Sequence, residues 1–152
     1  MRFRIVAIGT PSGDLTDALR KYEERLSRFG AIEILDLKPT KVRDASEARR
    51  KEGEALLAQA VDHVITLDER GKARTTERLA SHLETLEQRG ISRITLLIGG
   101  AEGLDETVRD RADESWRLSD FTLAHDVARL VLLEQLYRVA TLRAGHPYHR
   151  GG

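Results

Sequence analysis

The 152-residue chain contains no cysteine, no excess of charge of either sign and no long hydrophobic run. Without cysteine it has no disulfide, no thiolate metal site and no cysteine nucleophile. Its 25 lysines and arginines balance 25 aspartates and glutamates, whereas a protein that grips nucleic acid through phosphates alone is normally basic. No apolar run is long enough to span a bilayer. Because the first residues lack a signal-peptide layout, we expect the protein in the cytoplasm.

The composition that is present is typical of one soluble, folded domain. Hydrophobic residues make up 40% of the chain and charged residues 33%, a balance that argues against intrinsic disorder. A length of 152 residues suits one domain with a sizeable core. The chain has no internal repeat, low-complexity tract or linker, so we predict a single domain over residues 1–152.

Positive charge is distributed unevenly along the chain. One cluster consists of Lys38, Lys41, Arg43, Arg49, Arg50 and Lys51. A second, towards the end, consists of Arg138, Arg143 and Arg150 together with His125, His146 and His149. Such local clusters permit an RNA partner in spite of the zero net charge. For residues 38–51 a solvated surface of mixed charge is the favoured interpretation.

Apolar runs alternate with helical stripes along the chain. Strands are predicted at residues 3–9, 32–37, 63–67 and 93–98, with a brief fifth strand near 121–123. Helices are predicted from a cap at Asp14 to a stop at Gly30, over 44–60, from a cap at Thr75 or Thr76 to a stop at Gly90, over 104–112 and over 126–143. Strands that alternate with helices indicate an α/β fold with a mostly parallel sheet covered on both faces.

The last predicted helix is apolar around nearly its whole circumference. Its apolar side chains are Val127, Leu130, Val131, Leu132, Leu133, Leu136, Tyr137, Val139, Ala140 and Leu142. A helix that is apolar on all sides is buried on all sides. In so small a domain one face can cover the sheet, and a partner subunit is the simplest cover for the other, which predicts a homodimer. Burial wholly within one chain remains the alternative.

A glycine-rich corner at residues 99–103 follows the fourth predicted strand and precedes a short helix. Backbone N–H groups of Gly99 and Gly100 could face a ligand, because open parallel sheets bind ligands at the carboxyl ends of their strands. The corner matches neither G-x-G-x-x-G nor a Walker A loop, and a tight turn explains it equally well. Glu102 is either a site carboxylate or an acidic residue at the helix N-terminus.

The chain closes on the polar and aromatic tail His146-Pro147-Tyr148-His149-Arg150. Zinc needs three or four protein ligands, and the tail offers two histidines with no cysteine or carboxylate, so we predict no metal. Aromatic and imidazole groups suit stacking on a base or closure of a pocket, although a frayed terminus is the common alternative. A hydrolase triad of Ser119, His125 and Asp126 is disfavoured, because the chain has no G-x-S-x-G elbow.

Taken together, these motifs resemble the RlmH-type branch of the SPOUT methyltransferases over essentially the whole chain. The matching segments are residues 6–10, 51–54, 66–68 and 97–103, followed by 115–116, 118–119, 122–123, 125, 129, 134–138 and 146–150. Each segment alone is a weak signal, but their order and spacing are specific. The chain departs from the family pattern at Ala101 and Ala124, where proline is usual, and neither change removes a reactive group.

The resemblance implies a three-layer sandwich around a parallel sheet, with the C-terminal segment threaded as a trefoil knot. It also implies a homodimer packed through the knotted region, and a substrate in the large-subunit ribosomal RNA of the bacterial ribosome. It further implies S-adenosylmethionine as the cofactor, bound by loops that follow the strands. The residues that match these loops are Leu67, Asp68, Gly99, Gly100, Glu102, Ser119, Asp120, Phe121, Thr122, Leu123 and Ala124.

The chemistry that the resemblance implies is methyl transfer to N3 of a pseudouridine. N3 attacks the sulfonium methyl, S-adenosylhomocysteine leaves, and the N3 proton passes to a base with a pKa near neutrality, for which His149 is the candidate. Arg129 or Arg150 would stabilise the developing anion or hold phosphate, and Tyr148 would stack on the base. The alternative is an RNA- or ribosome-binding protein that keeps the fold without catalysis, and the intact glycine loops argue against it. A nucleotide-binding hydrolase lacks a catalytic constellation.

Overall fold

Five strands and five α-helices alternate over residues 1–150, the part of the chain that the computed structural model describes, the side chain of His149 excepted. The strands are β1 (Arg2–Ile8), β2 (Ile32–Leu37), β3 (His63–Ala73), β4 (Arg93–Ile98) and β5 (Glu114–Arg117). The helices are α1 (Thr16–Ser27), α2 (Ala45–Gln59), α3 (Thr76–Gln88), α4 (Glu106–Arg111) and α5 (His125–Arg143). Short 3-10 turns cover Gly13–Leu15 and Pro147–Arg150.

The five strands lie parallel in one sheet, in the order β2-β1-β4-β3-β5. In β1, Val6 pairs with Leu35 on one side and with Leu97 on the other. Parallel neighbours require crossover connections, and here helices supply them. The predicted parallel α/β fold is therefore confirmed. A consequence of this topology is that all five strands end at the same side of the sheet, here named the carboxyl edge.

Alternate residues of the strands build two hydrophobic cores, one on each face of the sheet. On one face, Ile5 and Ala7 pack with residues of α1, α3 and α5. On the other face, Val6 and Ile8 pack with residues of α2 and α4. Because both faces are buried, β1 and β4 read as continuous apolar runs instead of alternating ones. The layers are helix, sheet and helix, as the resemblance implies, while the trefoil knot stays a prediction.

Of the predicted helix caps, Thr75 is confirmed and Asp14 is wrong, while Asp44, predicted only as the first residue of a helix, is also a cap. The Asp44 carboxylate accepts a hydrogen bond from the Glu47 N–H at 2.9 Å and begins α2. The Thr75 hydroxyl accepts one from the N–H three residues on, at 3.2 Å, and begins α3. Asp14 does not cap α1, because it lies inside the 3-10 turn that precedes this helix.

The predicted strand near residues 121–123 is also wrong, because the fifth strand lies earlier, at Glu114–Arg117. Residues 119–124 form a loop in which the Ser119 hydroxyl accepts a hydrogen bond from the Phe121 N–H at 2.9 Å. The Phe121 side chain is 84% exposed, so this aromatic residue does not belong to a buried strand. Trp116, which lies in β5, is the buried aromatic residue of this region.

Glu114 explains how so polar a strand is accommodated at the edge of the sheet. Its carboxylate lies 2.7 Å from His82 Nε2 and 2.8 Å from His63 Nε2. It also accepts a hydrogen bond from the indole N–H of Trp116 at 3.0 Å. Burial raises the pKa of this carboxyl, but the hydrogen bonds to Trp116 and the two histidines outweigh burial, so the pKa is lowered.

β3 extends to Ala73, well beyond the end predicted at residue 67. It pairs with β5 twice, since Trp116 opposes Leu67 and, after a bulge, also Lys72. A Cβ at Gly71 would lie only 2.6 Å from the carbonyl carbon of Trp116, so the bulge requires glycine there. The prediction stopped too early because the residues of the bulge are polar.

α5 lies in the layer with α1 and α3 and packs against both. Leu132, Leu133 and Leu136 are fully buried, whereas Val127 is 38% exposed. Much of the apolar circumference of α5 is therefore buried within one chain, and its outer face is the part that a partner would cover. The homodimer stays a prediction. None of the helices in residues 1–150 combines the length and the apolarity needed to cross a membrane.

Candidate active site

A cavity of about 560 Å³ lies at the carboxyl edge, where β3, β4 and β5 end. Its walls are the bulge of β3, the loops that follow β4 and β5, and the first turn of α5. The volume falls within the range of about 300–1,000 Å³ that is typical of small-molecule sites. The predicted cofactor residues that line the cavity are Leu67, Asp68, Gly99, Gly100, Glu102, Ser119, Phe121, Thr122 and Leu123. Three loops that are far apart in the sequence thus converge on one cavity.

Two other predicted cofactor residues, Asp120 and Ala124, lie beside the cavity and not on its wall. Asp120 is exposed and forms an ion pair with Arg117 at 3.3 Å. Ala124 is exposed and immediately precedes α5. In this arrangement both residues shape the loop between β5 and α5, and the neighbouring residues of that loop face the cavity.

The glycine corner is a tight turn that also forms part of the cavity wall. The Gly103 N–H donates to the Gly100 carbonyl at 3.0 Å, and Gly103 has a φ of +81°. A Cβ at Gly99 would lie 3.0 Å from the Gly103 carbonyl oxygen, and one at Gly100 would lie 2.9 Å from Glu52 Oε1. The close approaches that exclude side chains at these glycines are therefore made by the protein itself.

Glu102 is not a helix-terminal residue. α4 begins later, at Glu106, and its N-terminus is capped by the Asp105 carboxylate, which accepts a hydrogen bond from the Thr107 N–H at 3.2 Å. The side chain of Glu102 is exposed at the rim of the cavity. Of the two interpretations of Glu102, the one that makes it balance the helix dipole is wrong.

Asp68 places a carboxylate in the wall of the cavity, with its side chain only 4% exposed. It accepts hydrogen bonds from Arg109 Nε at 2.5 Å and from the Arg70 N–H at 3.0 Å. Burial raises the pKa of Asp68, but the hydrogen bonds and charges of Arg109 and Arg70 outweigh it, so the pKa is lowered. Arg109 also donates to the Leu104 carbonyl at 2.9 Å, and so ties the β3 bulge to the glycine-corner loop.

Two nitrogen atoms at the cavity are buried without a hydrogen-bond partner among the described residues, namely His125 Nε2 and Arg117 Nε. His125 Nδ1 lies 3.7 Å from Asp126, so one side of the ring faces a carboxylate. Buried polar atoms are rarely left without partners, because each lost hydrogen bond costs about 1–3 kcal/mol. The polar atoms of a bound molecule are the natural partners for these two nitrogens.

Arg129 lies away from the cavity. Its side chain is 3% exposed and forms an ion pair with Asp36 of β2, which fixes α5 to the edge of the sheet. The neighbouring Asp126 carboxylate accepts hydrogen bonds from the Ser12 N–H at 2.9 Å and the Ser12 hydroxyl at 2.8 Å. These contacts hold the first turns of α5 against β2 and against the loop that follows β1.

Tyr148 packs at the opposite end of α5. Its ring meets the Tyr137 ring edge to face, with 4.6 Å between centroids, and its hydroxyl lies 3.3 Å from the Tyr22 hydroxyl and 3.3 Å from Glu134 Oε1. Burial raises the pKa of Tyr148, and the hydrogen bond with Tyr22 and the charge of Glu134 raise it further. At 1.5 Å per residue, Tyr137 lies about 18 Å along the helix axis from His125.

The described side chains of the tail therefore do not line the cavity of their own chain. Arg150 is exposed, and neither it nor Tyr148 lines the cavity. The predicted base His149 has a side chain that lies outside the described residues. His146 Nδ1 accepts a hydrogen bond from the Tyr148 N–H at 3.2 Å. Among the described side chains, which exclude that of His149, no group of three or more histidines, aspartates or glutamates is placed to hold a metal ion.

Sequence reasoning missed Arg109 and Arg117 as cavity residues. Arg109 reaches Asp68 across 41 positions of the chain, and such a distant pairing leaves no local pattern. Arg117 ends β5, the strand that the apolar signal misplaced. His125 was part of the family motif. Its position at the start of α5, directly after the loop that follows β5, was the signal that could have marked it as a cavity residue.

Comparison with known proteins identifies the class to which this fold and cavity belong. The model of the family described as "Predicted SPOUT methyltransferase" matches residues 1–149. The chain therefore belongs to the SPOUT methyltransferase family. A solved structure of a probable methylase family protein from Haemophilus influenzae Rd KW20 has a similar fold, with a TM-score of 0.54, 13% identity, and coverage of 96% of this chain and 69% of that chain.

Within that class, the chain is similar over its full length to proteins named ribosomal RNA large subunit methyltransferase H. The relative from Polynucleobacter asymbioticus is 43% identical over 151 residues, which cover 99% of each chain. The relative from Thermus thermophilus is 42% identical over 152 residues, again 99% of each chain. The resemblance inferred from the motifs is confirmed.

As a methyltransferase of this family, the protein is an enzyme that uses S-adenosylmethionine. The residues of the cavity fit such a molecule. Leu67, Ile98 and Leu118 are apolar and suit an adenine ring, while the Asp68 carboxylate and the unsatisfied Arg117 Nε offer partners for its polar and charged groups. The space is sufficient for a cofactor of this size.

Proposed function

We propose that this enzyme methylates N3 of a pseudouridine in bacterial large-subunit ribosomal RNA, within the ribosome and hence in the cytoplasm. The observation that carries the proposal is the convergence of the three predicted cofactor loops on one cavity, lined by His125 and Arg117 with their unsatisfied nitrogens. Full-length relatives whose names specify the large ribosomal subunit support the choice of RNA.

In this proposal the three loops hold S-adenosylmethionine, whose sulfonium group supplies an activated methyl. Leu67 and Leu118 in the wall would contact the adenine and exclude water from it. Backbone groups of Gly99 and Gly100 would hold the nucleoside, and Arg117 and His125 would donate to its polar groups. The main contribution of the protein is then to orient the two reactants. Orientation lowers the activation free energy of a displacement reaction by several kcal/mol.

We also propose that the enzyme is a homodimer in which the tail of one subunit acts at the cavity of the other. This follows from the separation of about 18 Å along α5 between the cavity and the ring that Tyr148 contacts. An interface through the outer face of α5 would cover Val127 and the 40% exposed Phe29 at the end of α1. Each site would then be complete only in the dimer.

At the RNA, the proposed roles of the tail residues differ in chemistry. His149 accepts the N3 proton, and Arg150 stabilises the anion that remains. Tyr148 stacks on the base of the nucleotide. Arg129 does not contact the RNA in this proposal. Its buried ion pair with Asp36 fixes the position of α5.

Mass spectrometry of ribosomal RNA tests the proposal directly. RNA from cells that lack the gene is expected to lose one methyl mark from one pseudouridine of the large subunit, and the purified enzyme with S-adenosylmethionine is expected to restore it on isolated ribosomes. An intact methyl pattern in the deleted strain would contradict the proposal. Methyl transfer to ribosomes at a different nucleotide would retain the enzyme class and change the assigned position.

A further inference from the structure

Four cations near the carboxyl edge have no carboxylate within ion-pair distance in the described part of the chain, and we name them the basic patch. They are Lys38, Lys41, Arg43 and Arg49. The first three are exposed in the segment between β2 and α2, and the fourth lies on α2. Their neighbours on α2 are paired instead, since Arg50 contacts Glu54 at 2.6 Å and Lys51 lies 4.0 Å from Glu47.

The segment that carries the basic patch is hydrogen-bonded to Glu52, which lies next to the glycine corner. This buried carboxylate accepts a hydrogen bond from the Thr40 N–H at 3.1 Å through Oε2. Its other oxygen, Oε1, lies 2.9 Å from the position that a Cβ would take at Gly100. Because Gly100 lines the cavity, Glu52 stands between the patch and the cavity. The patch and the cavity therefore share a boundary.

Arg49 is held near the same boundary by the packing of α2 on the start of α4. A Cβ at Gly53 would lie 3.1 Å from the Asp105 Cβ, so the two elements are in close contact. The hydrogen bond from Thr107 is the main cause that lowers the pKa of Asp105, and the positive charges of Arg49 and Arg50 add to this effect. The loop between Gly103 and Asp105 is thus next to the patch.

We propose that the basic patch binds backbone phosphates of the ribosomal RNA beside the target nucleotide and so positions the RNA over the cavity. This inference rests on the proposed function and names the surface that receives the substrate. Lysine and arginine bind phosphate through charge-assisted hydrogen bonds, and such contacts fix the register of a nucleic acid without reading its sequence.

The chemistry of the surroundings favours phosphate over a solvated surface of mixed charge. The acidic residue within this segment, Asp44, caps α2 and forms no ion pair with the patch in the described residues, so the segment carries three positive charges against one negative charge. The chain as a whole is electrically neutral, so a local excess of positive charge at one place directs an anion to that place. The excess lies at the edge of the sheet to which the RNA must come.

The test is a double variant, Lys41→Ala with Arg43→Ala, compared with the wild-type enzyme. Its Michaelis constant for ribosomes is expected to rise about tenfold, while the dissociation constant for S-adenosylmethionine stays within twofold. The slope of log affinity against log salt for a protein-free fragment of large-subunit RNA is expected to fall by about 1.5, since each phosphate contact contributes about 0.7–0.9. A charge-conserving variant, Lys41→Arg with Arg43→Lys, is expected to keep the wild-type slope.

A matched control removes two exposed cations from the opposite edge of the sheet, Arg2→Ala with Arg89→Ala. Neither arginine has an ion-pair partner among the described residues, so the change in net charge is the same. In the control, the Michaelis constant is expected to stay within about twofold of wild type and the salt slope within about 0.3. Charges far from the RNA should have little effect, because salt screens them over about 10 Å.

Three results would overturn the proposal. The first is a salt slope and Michaelis constant that change equally in the two double variants. The second is a loss of S-adenosylmethionine affinity in the patch variant, which would assign the patch to the cofactor site. The third is weaker binding to ribosomes with unchanged binding to protein-free RNA, which would assign the patch to an acidic ribosomal protein. A wild-type enzyme that binds the RNA but methylates none of it would contradict the proposed function and leave the salt-slope comparison valid.

Discussion

The two ends of α5 differ in how their polar groups are satisfied. At the start, His125 faces the cavity with one ring nitrogen buried and without a partner in the described residues. At the other end, Tyr148 closes a network with Tyr137, Tyr22 and Glu134. Arg138 belongs to this network, since its guanidinium lies 5.1 Å from the centre of the Tyr148 ring and donates to Glu134 at 2.6 Å.

The comparison indicates that the two ends of α5 have different roles. Unsatisfied polar atoms at the cavity are available for a ligand, whereas the Tyr148 hydroxyl is satisfied by partners within its own chain. Since Tyr137, which the Tyr148 ring contacts, lies about 18 Å along α5 from His125, the described tail residues of one chain do not reach its own cavity. The tail network must open if these residues act on RNA, and a partner's cavity is the proposed destination.

The largest effect is expected from truncation of the chain before Pro147. Methyl transfer should fall by at least about 100-fold, the usual effect of losing a general base. The affinity for S-adenosylmethionine, measured by calorimetry, should stay within twofold, because the described tail residues do not line the cavity. The loss of the contact between Tyr148 and Tyr137 should lower the free energy of unfolding by about 1 kcal/mol. Wild-type rates in the truncated enzyme would show that the tail is only a terminus.

Arg129→Ala should act on stability first. The change removes the buried Arg129 side chain and leaves the partly exposed Asp36 without its cation, which should lower the free energy of unfolding in urea by about 1–3 kcal/mol. The double change Arg129→Met with Asp36→Asn should restore most of this loss, because it removes both charges. A single variant with normal stability and no methyl transfer would instead assign Arg129 a direct role at the RNA.

Asp68→Asn should weaken cofactor binding about tenfold, because a hydrogen bond to a charged group contributes about 1.5–3 kcal/mol and Arg109 would lose its partner. The pH dependence has a defined sign. The lowered pKa of Asp68 adds stability that is present above the unfolded pKa and is lost as pH falls through the folded value. The free energy of unfolding of the wild type should therefore fall more steeply with acid than that of the variant, which lacks this carboxyl. Identical acid dependence in the two proteins would contradict the assignment.

The smallest effect is expected from Tyr148→Phe. Two long hydrogen bonds of 3.3 Å are lost while the ring packing is kept, so stability should fall by less than about 1 kcal/mol. If the side chain acts by stacking, the turnover rate should remain within about threefold of wild type. The pH profile of the rate should not shift, because the proposal assigns the N3 proton to His149 and not to Tyr148. A displaced profile would reverse that conclusion.

Local patterns account for what the sequence could predict of the fold. The strands β1 and β4 are apolar because both faces are buried, and Asp44 and Thr75 mark helix starts by a hydrogen bond three residues away. β5 escaped because it is polar, and the partners that stabilise it come from β3, α3 and its own Trp116. Phe121, apolar in type, is exposed in the loop.

The site was predictable from motifs to the level of its loops, but not to the level of its contacts. The glycine corner was identified, yet its glycines are needed by the approach of Glu52 and Gly103, which no local pattern reveals. A bulky residue at Gly100 would therefore strain the protein itself and does not probe cofactor binding cleanly. The pairing of Asp68 with Arg109 likewise depends on the folded chain.

Subunit mixing tests the central claim most directly. One partner is the enzyme truncated before Pro147, and the other is Ser119→Trp, whose cavity is filled and whose failure to bind S-adenosylmethionine is verified by calorimetry. Each is expected to be inactive alone. If the tail acts at the partner's cavity, an equal mixture should recover about a quarter of the wild-type activity per subunit, because half of the dimers are mixed and each has one complete site. No recovery after verified subunit exchange would contradict the account.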